Sequence, residues 1–410
     1  MNIKEITPDV FYVGVNDRVT DRFEAMWPLP LGVTYNSYIV RGCEATALID
    51  TVEVSEAYDF FDNIDSIIGQ GGVDYLVVNH MEPDHSGSIP LVLSRYPSLK
   101  IVGNKQTVQM IKGFYHIDDD SRFHTVADGD AISLGNYTLS FALIPMVHWP
   151  ETMVTYLSEK NLLFSGDAFG TFGALSGGVV DNEMELESFW PEMYRYYSNI
   201  VGKYGVHVQR ALKKLAGLKL DYICSTHGPV WHDEIGRVID IYNRLSLYQP
   251  EDGVVIVYGS MYGHTAKMAE AIAAKLASAG VRNIRMHNAS KSNLSYMISD
   301  AFRYKGLIVG APTYSMALFP PVGALMQALS VREVKNKVFA TFGSFTWAPV
   351  TAKALAGRAE EMKMNVLADI EMKQDIKGDC KLTVGDVQKR LPLAEAADEF
   401  VARFVEALKA

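Results

Sequence analysis

His80-Met81-Glu82-Pro83-Asp84-His85 is the stretch that decides how this chain is read. It follows an apolar run, Tyr75-Leu76-Val77-Val78-Asn79, that reads as a buried strand, and it leads into Ser86-Gly87-Ser88. Four of its six residues can bind a metal, two through imidazole and two through carboxylate. A strand alternates its side chains between two faces and cannot aim all four at one point. A turn at the strand's end can, and Pro83 together with Gly87 supplies the bend.

Three further residues of the same kind stand in similar places downstream. His148 follows Ile144-Pro145-Met146-Val147 and precedes Trp149-Pro150. Asp167 follows Leu163-Phe164-Ser165-Gly166, and His227 sits between Cys224-Ser225-Thr226 and Gly228-Pro229. Each is a ligand-type residue between an apolar strand and a loop with Gly or Pro, where a rigid scaffold positions functional groups. With His80, Glu82, Asp84 and His85 they make seven candidate ligands for one pocket. Seven suit two metals, with three terminal ligands each and one bridging carboxylate. Imidazole with carboxylate and no thiolate suits iron, manganese or zinc. His116, His124, His207, His232 and His287 lack such company and read as surface or core residues.

The bulk properties agree with a large soluble chain. At 410 residues, two or three domains are expected. Hydrophobic residues at 48% and charged residues at 21% describe a globular protein with a sizeable core. No apolar run approaches the ~18 residues of a membrane span, and MNIKEITPDV lacks the pattern of a signal peptide. A cytoplasmic location and no membrane partner are therefore expected. Cys43, Cys224 and Cys380 form no CxxC pair, which excludes a fused rubredoxin or zinc ribbon and leaves all three expected as buried core residues. The net charge of -10 divides into -14 over residues 1–250 and +4 over residues 251–410. The first part has no concentrated positive surface for nucleic acid.

In residues 1–250, strands are expected at 11–15, 35–40, 45–50 and 75–79, then at 138–144, 153–157, 161–164 and 222–224. Helices are expected at 55–69, 89–95, 107–114, 184–217 and 234–248. Strands in two groups with helices between them suggest two sheets covered by helices, an α+β sandwich. The order HxExDH, followed by His148, Asp167 and His227, resembles that of the flavodiiron proteins (A-type flavoproteins). The flanks Met146-Val147-His148-Trp149-Pro150 and Gly166-Asp167-Ala168-Phe169-Gly170 are also similar to theirs. The resemblance implies an N-terminal αββα metallo-β-lactamase-like sandwich. Zinc hydrolases of that fold carry HxHxDH, and Glu82 in place of the second His is what the iron-binding branch shows. It further implies that His80, Glu82 and His148 hold one iron, that Asp84, His85 and His227 hold the other, and that Asp167 bridges them.

Around Tyr248-Gln249-Pro250-Glu251-Asp252-Gly253 the composition turns polar, as in a linker, and residues 251–410 then alternate strand and helix. Val254-Val255-Ile256-Val257-Tyr258 is apolar throughout, as in a parallel sheet covered on both faces. Further strands are expected at 283–287, 306–310, 337–342 and 364–369. This α/β alternation predicts a doubly wound, flavodoxin-like parallel sheet whose ligand binds at the carboxyl ends of the strands. The first such loop, Ser260-Met261-Tyr262-Gly263-His264-Thr265, is rich in hydroxyl groups, has no Lys or Arg, and opens a helix. It suits a monophosphate held by hydrogen bonds. The absence of GxGxxG and of a Walker Lys disfavours a dinucleotide or ATP, and FMN fits. Pro312-Thr313-Tyr314-Ser315 and Gly343-Ser344-Phe345-Thr346-Trp347 would enclose its ring, with Tyr314 and Trp347 against the faces.

A two-electron carrier and a two-metal site in one chain point to an oxidoreductase. Reduced FMN with two ferrous ions stores the four electrons that take O2 to water, and coupling two NO to nitrous oxide takes two. The family resemblance adds a head-to-tail homodimer, or a dimer of dimers. It also adds an external donor: rubredoxin, another flavoprotein or a deazaflavin donor. Two alternatives remain: a zinc-dependent hydrolase with an accessory flavodoxin-like domain, and an electron carrier with an inert first domain. The same ligands serve O2 and NO in the family, so the residues do not choose between them.

Overall fold

A computed structural model describes residues 3–69, 71–374 and 379–409. The chain forms two compact units, Met1–Ser246 and Leu247–Ala410. Among the described residues no helix is long and apolar enough to cross a membrane.

The first unit is built on two sheets. A seven-stranded sheet runs Lys4–Thr7, Val10–Tyr12, Tyr38–Arg41, Thr46–Ile49, Tyr75–Val77, Lys100–Gly103 and Phe123–Thr125. A five-stranded sheet runs Ala131–Ser133, Thr138–Leu143, Met153–Leu157, Leu162–Gly166 and Tyr222–Ser225. Alternation makes the core: Leu139 and Phe141 of one strand are buried, and they belong to the same cluster as Tyr12, Val40, Ile49 and Val77 of the other sheet. Tyr75–Val77 pairs parallel with both Thr46–Ile49 and Lys100–Gly103, so it is an interior strand and buries Leu76 and Val77 completely. Helices Ala57–Ile68, Ile89–Arg95 and Lys105–Tyr115 belong to the first half of the unit. Phe189–Tyr196, Gly205–Leu215 and Ile235–Ser246 belong to the second. This is the αββα sandwich.

Two expectations need correction here. The helix expected over 184–217 is not continuous: Phe189–Tyr196 passes through a π-helical turn, Tyr197–Val201, and a 3-10 turn before Gly205–Leu215 begins. Gly202 and Gly205 carry little helical propensity, and the aromatic run Tyr194-Arg195-Tyr196-Tyr197 packs inward, so tertiary packing overrides one regular helix. Cys43 is exposed rather than core, because it stands in the turn between Tyr38–Arg41 and Thr46–Ile49. Cys224 and Cys380 are buried.

The second unit is a mixed sheet with the order Ile284–Asn288, Glu251–Tyr258, Tyr304–Tyr314, Val338–Phe345, Asn365–Lys373, Cys380–Val384, Val387–Leu391. The first five are parallel. The chain crosses from Ile284–Asn288 on one side of Glu251–Tyr258 to Tyr304–Tyr314 on the other, which creates the switch point where such sheets bind ligands. Val254 to Val257 have no exposed surface, as strands covered on both faces require. Their cover includes Met268 and Ile272 of helix His264–Ser278 and the stacked rings of Phe400 and Phe404 on helix Leu393–Lys409. Beyond this doubly wound flavodoxin-like core, Cys380–Val384 and Val387–Leu391 add an antiparallel hairpin to one edge.

Candidate dinuclear metal site and flavin cavity

The segment after Tyr75–Val77 turns into one short helical turn, Pro83–Ser86, with Pro83 in the first turn where its missing N–H costs nothing. The turn presents Asp84 and His85, while His80 and Glu82 lie in the extended residues before it. His148 stands in the loop between Thr138–Leu143 and Met153–Leu157, Asp167 directly follows Leu162–Gly166, and His227 follows Tyr222–Ser225. All seven are buried, and the structure brings them to one point as two adjacent groups.

One group is His80, Glu82, His148 and Asp167. His148 Nε2 lies 3.0 Å from Glu82 Oε2, 3.0 Å from Asp167 Oδ2 and 3.2 Å from His80 Nε2. The other group is Asp84, His85 and His227. His85 Nε2 lies 3.1 Å from Asp84 Oδ2, and His227 Nε2 lies 3.3 Å from the same oxygen. Asp167 serves both: its Oδ2 faces the first group, while its Oδ1 is 3.0 Å from His85 Nε2 and 3.8 Å from His227 Nε2.

Residues behind the ligands fix their orientation. His80 Nδ1–H donates to Glu151 Oε1 at 2.7 Å, and His227 Nδ1–H donates to the Thr34 carbonyl at 2.6 Å. Both bonds turn Nε2 toward the centre. Thr226 Oγ1 donates to Asp167 Oδ1 at 2.6 Å. Gly228, immediately after His227, has φ +77 and approaches Thr171 so closely that a Cβ would meet its methyl at 2.2 Å. Sequence reasoning missed Glu151, Thr226, Thr34 and Tyr196. Glu151, a carboxylate three residues past His148, was a visible signal; the Thr34 carbonyl had none. Tyr196 places its ring 5.4 Å from that of His227, and its hydroxyl is buried with no hydrogen-bond partner among the described residues.

The electrostatics are those of a cation site. Burial favours protonated carboxylates, yet His85 and His80 hold Asp167 well below its ordinary range. Burial likewise works against a charged His80, but Asp167 and Glu151 push it up to about 10. For His148 the Asp167 and Glu82 carboxylates outweigh burial and give about 9. Both Asp84 carboxylate oxygens, His85 Nε2 and His227 Nε2 are buried without a hydrogen-bond partner among the described residues. Unpaired buried groups of this kind are costly, and bound cations satisfy them together. The oxygen and nitrogen donors therefore fit two divalent transition-metal ions. A cavity of about 410 Å³ bounded by Thr20, Phe23, Glu24, Tyr35 and Glu53 reaches Glu82 and Asp84 from outside.

In the second unit the carboxyl ends of Glu251–Tyr258, Tyr304–Tyr314 and Val338–Phe345 border a cavity of about 440 Å³, within the range of small-molecule sites. Ser260, Met261, Tyr262, His264 and Thr265 line one part, at the start of helix His264–Ser278. Pro312, Thr313, Tyr314 and Ser315 line a second, and Ser344, Phe345, Thr346 and Trp347 a third. The cavity wall does not include Gly263 or Gly343: Gly263 sets the αL turn before the helix and Gly343 lies inside its strand. Thr265 and Ser344 hydroxyls are 2.9 Å apart and tie the first loop to the third. Ala348 and Gln374 also line the cavity and were missed by sequence reasoning. An anion-accepting helix start opposite exposed aromatic rings fits a phosphorylated flavin.

Comparison with known proteins agrees with both units. The family description "ODP family beta lactamase" matches residues 33–228, and "Flavodoxin" matches residues 256–396. An anaerobic nitric oxide reductase flavorubredoxin from Pectobacterium carotovorum is 31% identical, over 83% of this chain and 68% of its own. The solved structure of rubredoxin oxygen:oxidoreductase from Desulfovibrio gigas superposes with a TM-score of 0.90 at 27% identity, covering 99% of this chain and 98% of that one. A mutant flavo di-iron protein from Thermotoga maritima gives 0.88 at 26% identity, with the same coverage. On fold, paired sites and kinship together, this chain belongs to the flavodiiron protein family.

Proposed function

We propose that this chain reduces dioxygen to water, nitric oxide to nitrous oxide, or both, at a non-haem diiron site fed with electrons through FMN. The observation that carries the reading is the bridging geometry of Asp167, one carboxylate oxygen toward each ligand group. His80, Glu82 and His148 would hold one iron and Asp84, His85 and His227 the other. When bound, the irons would supply redox-active coordination positions for a small neutral gas, and the flavin would supply electrons. Glu151 and the Thr34 carbonyl keep the His80 and His227 rings aimed, and Thr226 keeps one Asp167 oxygen in place. Phe23 and Tyr35 form the apolar part of the wall along the approach.

The surfaces support a pairing of two copies. Exposed apolar residues accompany both cavities: Val19 and Val54 adjoin in sequence Thr20 and Glu53 of the metal cavity, and Tyr262 (87% exposed) and Trp347 (78%) line the flavin cavity. Exposed apolar rims of this kind mark interaction sites. They support a head-to-tail homodimer in which the flavin loops of one copy cover the metal cavity of its partner. The opposite charges of the two parts, -14 and +4, favour that pairing. An external electron donor such as rubredoxin or another flavoprotein would reduce the flavin.

Metal and flavin analysis of purified protein tests the core of this reading. Two irons and one FMN per chain, with O2 or NO consumption after flavin reduction, are expected. Zinc in place of iron together with hydrolysis of a thioester or lactam would overturn it. Steady-state rates with each gas separate the two substrates.

A further inference from the structure

Among the described residues that line the flavin cavity, Gln374 alone has a buried side-chain polar atom without a hydrogen-bond partner. It follows strand Asn365–Lys373, the fifth parallel strand, whose carboxyl end lies beyond the three loops that the switch point brings together. Its backbone N–H donates to the Phe345 carbonyl at 2.8 Å, which anchors it beside the loop Ser344–Trp347. Gln374 lines the cavity, and its side-chain Nε2 is buried with no hydrogen-bond partner among the described residues. An amide N–H2 left dry and unpaired is unfavourable, whereas a polar acceptor placed in the cavity satisfies it. The phosphate acceptors belong to the loop after Glu251–Tyr258, where Ser260 precedes helix His264–Ser278, and two strands separate Glu251–Tyr258 from Asn365–Lys373 in the sheet. At the Phe345 side, the acceptors a flavin offers are the carbonyl groups on the edge of its ring.

We propose that the Gln374 side-chain amide donates a hydrogen bond to the carbonyl edge of the bound flavin ring, and so helps to set both flavin affinity and flavin potential. This rests on the reading of the cavity as an FMN site. The reduced ring is richer in electrons and its carbonyl edge is the better acceptor, so the bond favours reduced over oxidised flavin. Gln374 acts at the ring and is indifferent to the phosphate.

The test uses full-length chain depleted of flavin and titrated with FMN and, separately, with riboflavin, which lacks the phosphate. Gln374→Leu should weaken both by a similar factor, about tenfold for one buried donor. The midpoint potential of bound FMN should fall, by about 30 mV for each tenfold excess in the loss of reduced over oxidised flavin. Gln374→Glu keeps the side-chain size, removes the N–H2 and should weaken both flavins at least as much. Unchanged melting of the flavin-free flavodoxin-like unit in each variant shows that the unit carrying Gln374 has folded. Affinities like those of the unsubstituted chain for both flavins, or a loss confined to FMN, would overturn the inference while leaving the FMN site standing. Failure of the unsubstituted chain to take up FMN would overturn both.

Discussion

At His80 the ring is held from behind. Glu151 Oε1 accepts from Nδ1 at 2.7 Å and from the Met81 N–H at 2.9 Å, so one carboxylate fixes both the ring and the backbone that carries it. Burial favours the protonated acid, but the His80 ring draws Glu151 below its ordinary range. Removing such a partner typically costs 10–100-fold in metal affinity. Glu151→Ala is expected to lower iron affinity by about that factor, measured by competition with a chelator, while flavin content stays the same. Glu151→Gln retains an acceptor and should lose less. Equal affinity in all three proteins would show that the His80 ring needs no support.

At the scale of elements, Lys337 illustrates a device the periodicity of the sequence does not display. It precedes strand Val338–Phe345, is buried, and donates to the carbonyls of Phe302 and Tyr304 at 2.8 and 2.7 Å, where helix Leu294–Arg303 hands over to strand Tyr304–Tyr314. Burial pulls its amine from 10.5 down to about 7. Between those values the unfolded chain holds a proton that the folded chain releases, so this residue makes stability rise with pH across that window. Lys337→Met should flatten the rise by up to about 1.4 kcal/mol per pH unit, read from denaturant unfolding between pH 7 and 10. A parallel pH profile in the variant would mean that the amine stays charged against its two carbonyl partners.

Much of the architecture is legible for physical reasons. Val254-Val255-Ile256-Val257 announces a strand covered on both faces, and His80, His148, Asp167 and His227 announce themselves as lone polar residues at the ends of apolar runs. What escapes is set by partners distant in sequence. The Thr34 carbonyl is a backbone group that no residue type reveals. The strand expected at 364–369 extends to Lys373, and the hairpin Cys380–Leu391 was not expected because Lys381, Gln388, Lys389 and Arg390 give it a polar, loop-like composition. Those charges suit the sheet's last strand, where they discourage further pairing.

For the whole molecule, the proposed pairing of two copies places Trp347 where it counts. Its ring is largely exposed at the flavin cavity, so replacement by Asp leaves the fold intact and puts a charge into the apolar rim. Trp347→Asp is expected to shift sedimentation from dimer to monomer, with iron content retained and most turnover lost. A stable dimer with unchanged turnover would place the interface elsewhere.

The seven candidate ligands come from loops of both sheets of the first unit: His80, Glu82, Asp84 and His85 from the seven-stranded sheet, and His148, Asp167 and His227 from the five-stranded one. A pair of ions held among them would thus be a rivet through the sandwich. Prising the sheets apart would require releasing the metal first, which would make the opening of this unit a matter of mass action. Each tenfold rise in free metal above the dissociation constant should add about 1.4 kcal/mol per ion to its stability. In a calorimeter, chelation should lower the melting of the first unit and leave that of the flavodoxin-like unit in place, while stripping the flavin should do the reverse. One transition that moves as a whole under both treatments would mean that the rivet binds more than the sandwich it pierces.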